Sequence, residues 1–145
     1  MIRVRGLATS LVLGVLLNTP AFADGGAEYD YRHGVMAAIG GHMNAMVTIL
    51  RKSVHQDELV LHARGIAALA VISPDIFPEG SDVGKSESLP AVWENRVEFD
   101  AAMIKFVEAA KVMEQAATTG DMAQIGSAIQ GLGGACKGCH DDFRE

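Results

Sequence analysis

Cross-links are nearly absent from this sequence. Its 145 residues include only two cysteines, Cys136 and Cys139, which lie three apart in one short motif. They cannot staple distant parts of a fold, so stability has to come from buried apolar side chains and from whatever those cysteines hold. Basic charge is also scarce: 12 Lys and Arg face 18 Asp and Glu, and no Lys/Arg cluster interrupts the excess. Phosphate recognition relies on such clusters, so nucleic acid and anionic membrane surfaces are excluded as partners. There is no internal repeat, no Gly-rich phosphate loop, no low-complexity tract and no second apolar segment of membrane-spanning length.

The one apolar run, Leu7 to Leu17, follows Arg3 and Arg5 and is too short to cross a bilayer. Pro20 and the small-residue site Ala21-Phe22-Ala23 come next, the pattern of a cleaved export signal. Residues 1–23 are therefore read as a signal peptide and residues 24–145 as one mature domain, soluble after signal removal and exported to the periplasm. Loss of Arg3 and Arg5 leaves a formal charge of about −8 on the mature chain.

From there on, apolar residues recur at spacings of three and four, which predicts helices rather than strands. The first segment, about Glu28 to Lys52, aligns Met36, Ile39, Met43, Met46 and Leu50. The second, about Asp57 to Ile72, carries Leu59, Ile66 and Leu69. Between about Ser73 and Leu89 the pattern stops among Pro74, Pro78, Gly80 and Gly84, predicting a long loop. A third helix is expected from Pro90 to about Thr118, with Val92, Phe99, Met103, Phe106, Ala110 and Met113 in register. After Thr119-Gly120, Asp121 is the expected N-cap of a fourth, whose stripe is Met122, Ile125, Ile129, Leu132, Cys136, Cys139 and Phe143. Four such helices pack most simply as an all-α, antiparallel up-down-up-down bundle with both cysteines facing inward.

Cys136-Lys137-Gly138-Cys139-His140 fits C-x-x-C-H, the attachment sequence of c-type haem. Thiols at i and i+3 of a helix point to one side and can form thioethers to the two vinyl groups of a single macrocycle. His140 then offers a neutral imidazole to the iron. Gly138 leaves room between the thioethers, and Gly131, Gly133 and Gly134 let a helix or ring edge approach. A redox dithiol would sit where a strand meets a helix, and structural zinc would need a second Cys/His pair; neither pattern occurs.

These residues resemble the cytochrome c' family, the class II c-type cytochromes. The resemblance spans the mature chain. It rests on the C-terminal haem motif running on through Asp141-Asp142-Phe143-Arg144, on Tyr31-Arg32 with Met36 four residues after the arginine, and on Pro90-Ala91-Val92-Trp93. It implies a four-helix bundle with one covalent haem, an electron-transfer role with a redox partner protein, and frequent homodimers. Through it Met36 falls on the distal side of the iron, where family members either coordinate through methionine or leave the site vacant. Both roles are open to Met36, as iron ligand or as core side chain covering the ring. Met103 is a further candidate ligand, and His42 a remote one. Arg32 matches the family arginine that pairs with a haem propionate, against the alternative of an exposed surface arginine. Arg144, one turn after His140, can lie beside the imidazole or favour the helix C-terminus. Trp93 and Phe99 are expected in the core.

Two functions follow. With Met36 and His140 both on the iron the protein is an electron carrier; with the distal position open it binds nitric oxide or carbon monoxide. No acid/base pair or nucleophile constellation points to an enzyme, and Asp141 and Asp142 read as solvated carboxylates.

Overall fold

The computed structural model describes residues 24–145, so the signal peptide reading lies outside the described residues. Five α-helices follow in order: α1 (Gly25–Lys52), α2 (Leu59–Ile72), α3 (Ala91–Glu94), α4 (Arg96–Thr119) and α5 (Met122–Phe143). The four long ones form an antiparallel up-down-up-down bundle, in which α2 packs between α1 and α4, and α4 packs along α5.

Local chemistry sets the ends. Asp24 caps α1 by accepting from Gly26 N at 3.0 Å, and Asp121 caps α5 by accepting from Ala123 N at 2.8 Å and Gln124 N at 3.2 Å. Gly120, at φ +70°, supplies the left-handed turn that reverses the chain between α4 and α5. Gly25 has a different reason to be glycine: a Cβ there would overlap the Gly80 carbonyl, so the start of α1 can lie directly against the loop.

The helical stripes meet in one main core. Met46, Ile66, Met113, Ile125 and Leu132 are fully buried at its centre. Each such side chain contributes about 1.5–3 kcal/mol from burial. A second cluster of Val92, Phe99, Met103 and Phe143 closes the end where α1 and α4 begin and α2 and α5 finish. Met36 and Phe77 touch both clusters.

Two details depart from expectation. The third helix is not continuous: Asn95, at φ −113° and ψ 53°, leaves the helical region and separates α3 from α4, while its carbonyl still accepts from Phe99 N. Asparagine tolerates that backbone better than most residues. Met122 lies outside the core at 56% exposed, because α5 begins there and its first turn overhangs the end of the bundle.

The long segment 73–90 is ordered by named bonds. It opens with a 3-10 turn at Ser73–Asp75. It ends by pairing with the C-terminus in antiparallel fashion, Leu89 N donating to Phe143 O at 3.0 Å and Glu145 N to Glu87 O at 2.9 Å.

Candidate haem site

α5 delivers the motif. Cys136 and Cys139 are half-buried free thiols, Cys136 against the main core and Cys139 against the second cluster. Burial pushes both thiols above the ordinary cysteine value, and for Cys139 the neighbouring Cys136 and Asp142 add to the effect. That is opposite to the shift that activates a C-x-x-C redox centre. His140, at the rim, is held below the ordinary histidine value by burial and then by the Arg144 cation. Its imidazole is therefore neutral near pH 7, the form that ligates a metal.

These groups border a cavity of about 440 Å³ between the start of α1 and the end of α5. Arg32, Met36, Cys139, His140 and Arg144 all line it, so five of the six residues singled out in the sequence converge. The sixth, Cys136, sits one turn back on α5. Phe77, Phe99, Met103 and Phe143 supply apolar wall, with Phe99 edge-on to Phe77 and Phe143 at centroid distances of 4.9 and 5.3 Å. The size lies within the range of cofactor pockets, about 300–1,000 Å³. No neighbouring atom lies where a Cβ would project from Gly134 or Gly138. Two thiols a turn apart, a neutral imidazole, apolar walls and cationic edges fit a covalently held haem.

Arg32 is not a surface arginine: it is 4% exposed. Nη1 donates to Ile76 O at 3.3 Å and Ser81 Oγ at 2.7 Å; Nη2 donates to Ser81 O at 2.7 Å and Ser86 Oγ at 3.3 Å. The guanidinium also lies over the rings of Phe77 and Tyr29, at 5.0 and 5.9 Å. Burial lowers its proton affinity while Tyr29, Asp82 and Glu28 raise it. All four bonds go to neutral acceptors, so the positive charge stays at the cavity wall.

Arg144 ends α5 with its backbone N bonded to His140 O at 3.2 Å, and its guanidinium pairs with Glu87, Nε to Oε2 at 2.8 Å. The side chain thus ties helix to loop rather than serving the helix end alone. Asp141 pairs with Lys137 on the exposed side of the motif. Trp93 does not line the cavity; its indole N–H donates to the carbonyls of Phe77 and Pro78 at 3.2 and 3.1 Å. His42 points elsewhere too, its Nδ1 3.0 Å from Nδ1 of His62 on α2. Met43 is a turn or more inside, its Cε near Gly133, while Met103 is both buried and on the cavity wall.

The sequence reading placed the loop but missed its part in the site. Phe77, Lys85, Ser86, Glu87 and Ser88 all border the cavity, and Ser81 anchors Arg32 from behind it. Phe77, an aromatic beside Ile76 among Pro, Gly, Ser and charged residues, was the signal available there.

Comparison with known proteins agrees with this geometry. The family model described as Cytochrome C' matches residues 27–144. A cytochrome c' of Pararhodospirillum photometricum is 43% identical over 121 residues, covering 82% of this chain and 97% of the relative. A cytochrome c-556 of Agrobacterium fabrum is 32% identical over 145 residues, covering 98% and 96%. The crystal structure of cytochrome c' from Rubrivivax gelatinosus superposes with a TM-score of 0.79 at 32% identity, over 86% of this chain and 99% of that one. The chain belongs to the cytochrome c' family, and its cofactor is one covalently attached c-type haem.

Proposed function

We propose that this protein is a periplasmic one-electron carrier that exchanges electrons with a redox partner protein. In this reading residues 1–23 direct export and are removed, and residues 24–145 form the haem domain. Cys136 and Cys139 would hold the macrocycle, and the His140 imidazole and the Met36 thioether would both ligate its iron. When bound, the haem supplies a reversible single-electron couple at its iron. The chain's own residues keep water from the ring with Phe77, Phe99, Met103 and Phe143. Arg32, which forms no ion pair among the described residues, offers its cation to a propionate, and Arg144 stands beside the imidazole with Glu87 balancing its charge.

The observation that carries the reading is the convergence of Met36 and His140 on one cavity from α1 and α5. A protein with a ligand on each side of the metal needs no new ligand in either oxidation state, which favours electron transfer over ligand capture.

The ferric visible and electron paramagnetic spectra of the mature protein test it. A low-spin spectrum that becomes high-spin in Met36→Ala is expected. A five-coordinate high-spin parent would overturn Met36 ligation and favour nitric oxide or carbon monoxide binding at an open site. A low-spin spectrum unchanged in Met36→Ala would transfer the role to Met103. N-terminal sequencing of the periplasmic fraction should begin at Asp24.

A further inference from the structure

Away from the residues that line the haem cavity, an imidazole on α1 and one on α2 face each other. We propose that His42 and His62 form a binding site for a late first-row divalent ion, Cu2+ foremost, bridging α1 and α2. Their Nδ1 atoms are 3.0 Å apart and their rings meet edge to face, with centroids 5.2 Å apart and planes at 60°. Both are half-buried.

The placement is specific. His42 packs over Gly65, one turn beyond His62 on α2; a Cβ at that position would lie 2.6 Å from His42 Nε2 and 2.7 Å from Cε1. The glycine therefore admits the ring and directs Nε2 at the backbone, which leaves Nδ1 as the nitrogen presented to His62. In the metal-free pair one Nδ1–H donates to the other Nδ1. The same span suits a metal: two metal–nitrogen bonds of about 2.0–2.1 Å meeting at a right angle separate their nitrogens by about 2.9 Å. For an ion to take that place, the donor ring's proton moves from Nδ1 to its own Nε2, so both imidazoles stay neutral with a free Nδ1 lone pair, and each ring tilts by roughly 45° so that the lone pairs converge off the N–N line.

The chemistry selects the ion. Two neutral imidazole nitrogens suit Cu2+, Ni2+ and Zn2+, the right-angle bite favours tetragonal Cu2+ or Ni2+, and Cu2+ heads the general affinity order. Mg2+ and Ca2+ demand oxygen ligands. Among the described residues no third His, Cys, Asp or Glu joins the pair, so water completes the coordination sphere.

The test titrates the ferric, haem-loaded mature protein with Cu2+ in a non-chelating buffer, by calorimetry and by electron paramagnetic resonance. One equivalent is expected to bind with the superhyperfine pattern of two nitrogens. His42→Gln and His62→Gln, each checked for an unchanged haem spectrum and helical circular dichroism, should weaken that equivalent at least tenfold. Gly65→Ala keeps both imidazoles but displaces the His42 ring, and should weaken it at least threefold. A parent that binds no Cu2+, a one-nitrogen signal, or affinity unchanged in these variants would overturn the proposal.

Discussion

The two ends of the bundle are built by different means. Where α1 ends and α5 begins, Met46, Ile49, Leu59, Met113 and Ile125 fill the interior with side chains at helical spacing, and nothing further is required. At the other end a smaller apolar set, Val92, Phe99, Met103 and Phe143, packs beside a cavity of about 440 Å³ that the last three line. There the work of holding elements together passes to directed polar bonds: Arg32 to the loop, Arg144 to Glu87, and the pairing of residues 87–89 with 143–145. One end is complete as polypeptide, whereas the other is completed by its cofactor.

Removing the cofactor's anchors should separate the two ends most sharply. In Cys136→Ala/Cys139→Ala the mature mass should show no covalent haem at all. Amide hydrogen exchange should then rise most steeply at the end of α5 and in the 73–90 loop, while the α1 and α4 amides around Met46 and Met113 stay protected. Uniform loss of protection would show that the far end also depends on the haem.

The next effect belongs to the far end. Met46 is 0% exposed in the main core, and Met46→Ala should cost about 3 kcal/mol in chemical denaturation, through lost burial and the cavity left behind. The ferric spectrum should not change. A spectral shift would mean that packing around Met46 reaches the iron, and the two ends would have to be treated as one.

These contrasts explain what could be read from the chain in advance. The apolar stripe of α4, from Phe99 through Met113, is buried at every expected position, because a period of three to four residues fixes which face of a helix turns inward. The haem motif was equally legible, since its chemistry is local to five consecutive residues. The break at Asn95 and the loop's contacts with the site were not. Ser81 and Ser86 are ordinary linker residues in sequence, and they matter only because Arg32, about fifty positions earlier, places a buried guanidinium beside them. No periodicity encodes a bond between a helix and a distant irregular segment.

Arg32 sharpens the comparison on the haem side. Arg32→Leu deprives Ser81, Ser86 and the Ile76 carbonyl of their donor and should cost about 2 kcal/mol. Unlike Met46→Ala, it should also alter the haem, lowering the reduction potential because a cation leaves the cavity wall. Loss of stability with no change in potential would confine Arg32 to holding the loop.

The smallest effect tests whether the far end has a polar weakness of its own. Asp121 caps α5 at the end remote from the cavity. Bonds from the Gln124 backbone and side chain, and then from Ala123 N, hold its carboxyl below the ordinary 3.8. A carboxyl whose folded value is depressed stabilises the fold at pH above its unfolded value, and that contribution disappears as pH falls through the lower, folded value. Asp121→Ala should therefore melt slightly below the parent at neutral pH, and the gap should close as the solution is acidified well under pH 3.8. Because the cap lies at the end remote from the cavity, the haem spectrum should stay constant while the gap closes. If the gap persists in acid, Asp121 acts through the shape of the Gly120 turn rather than through its charge.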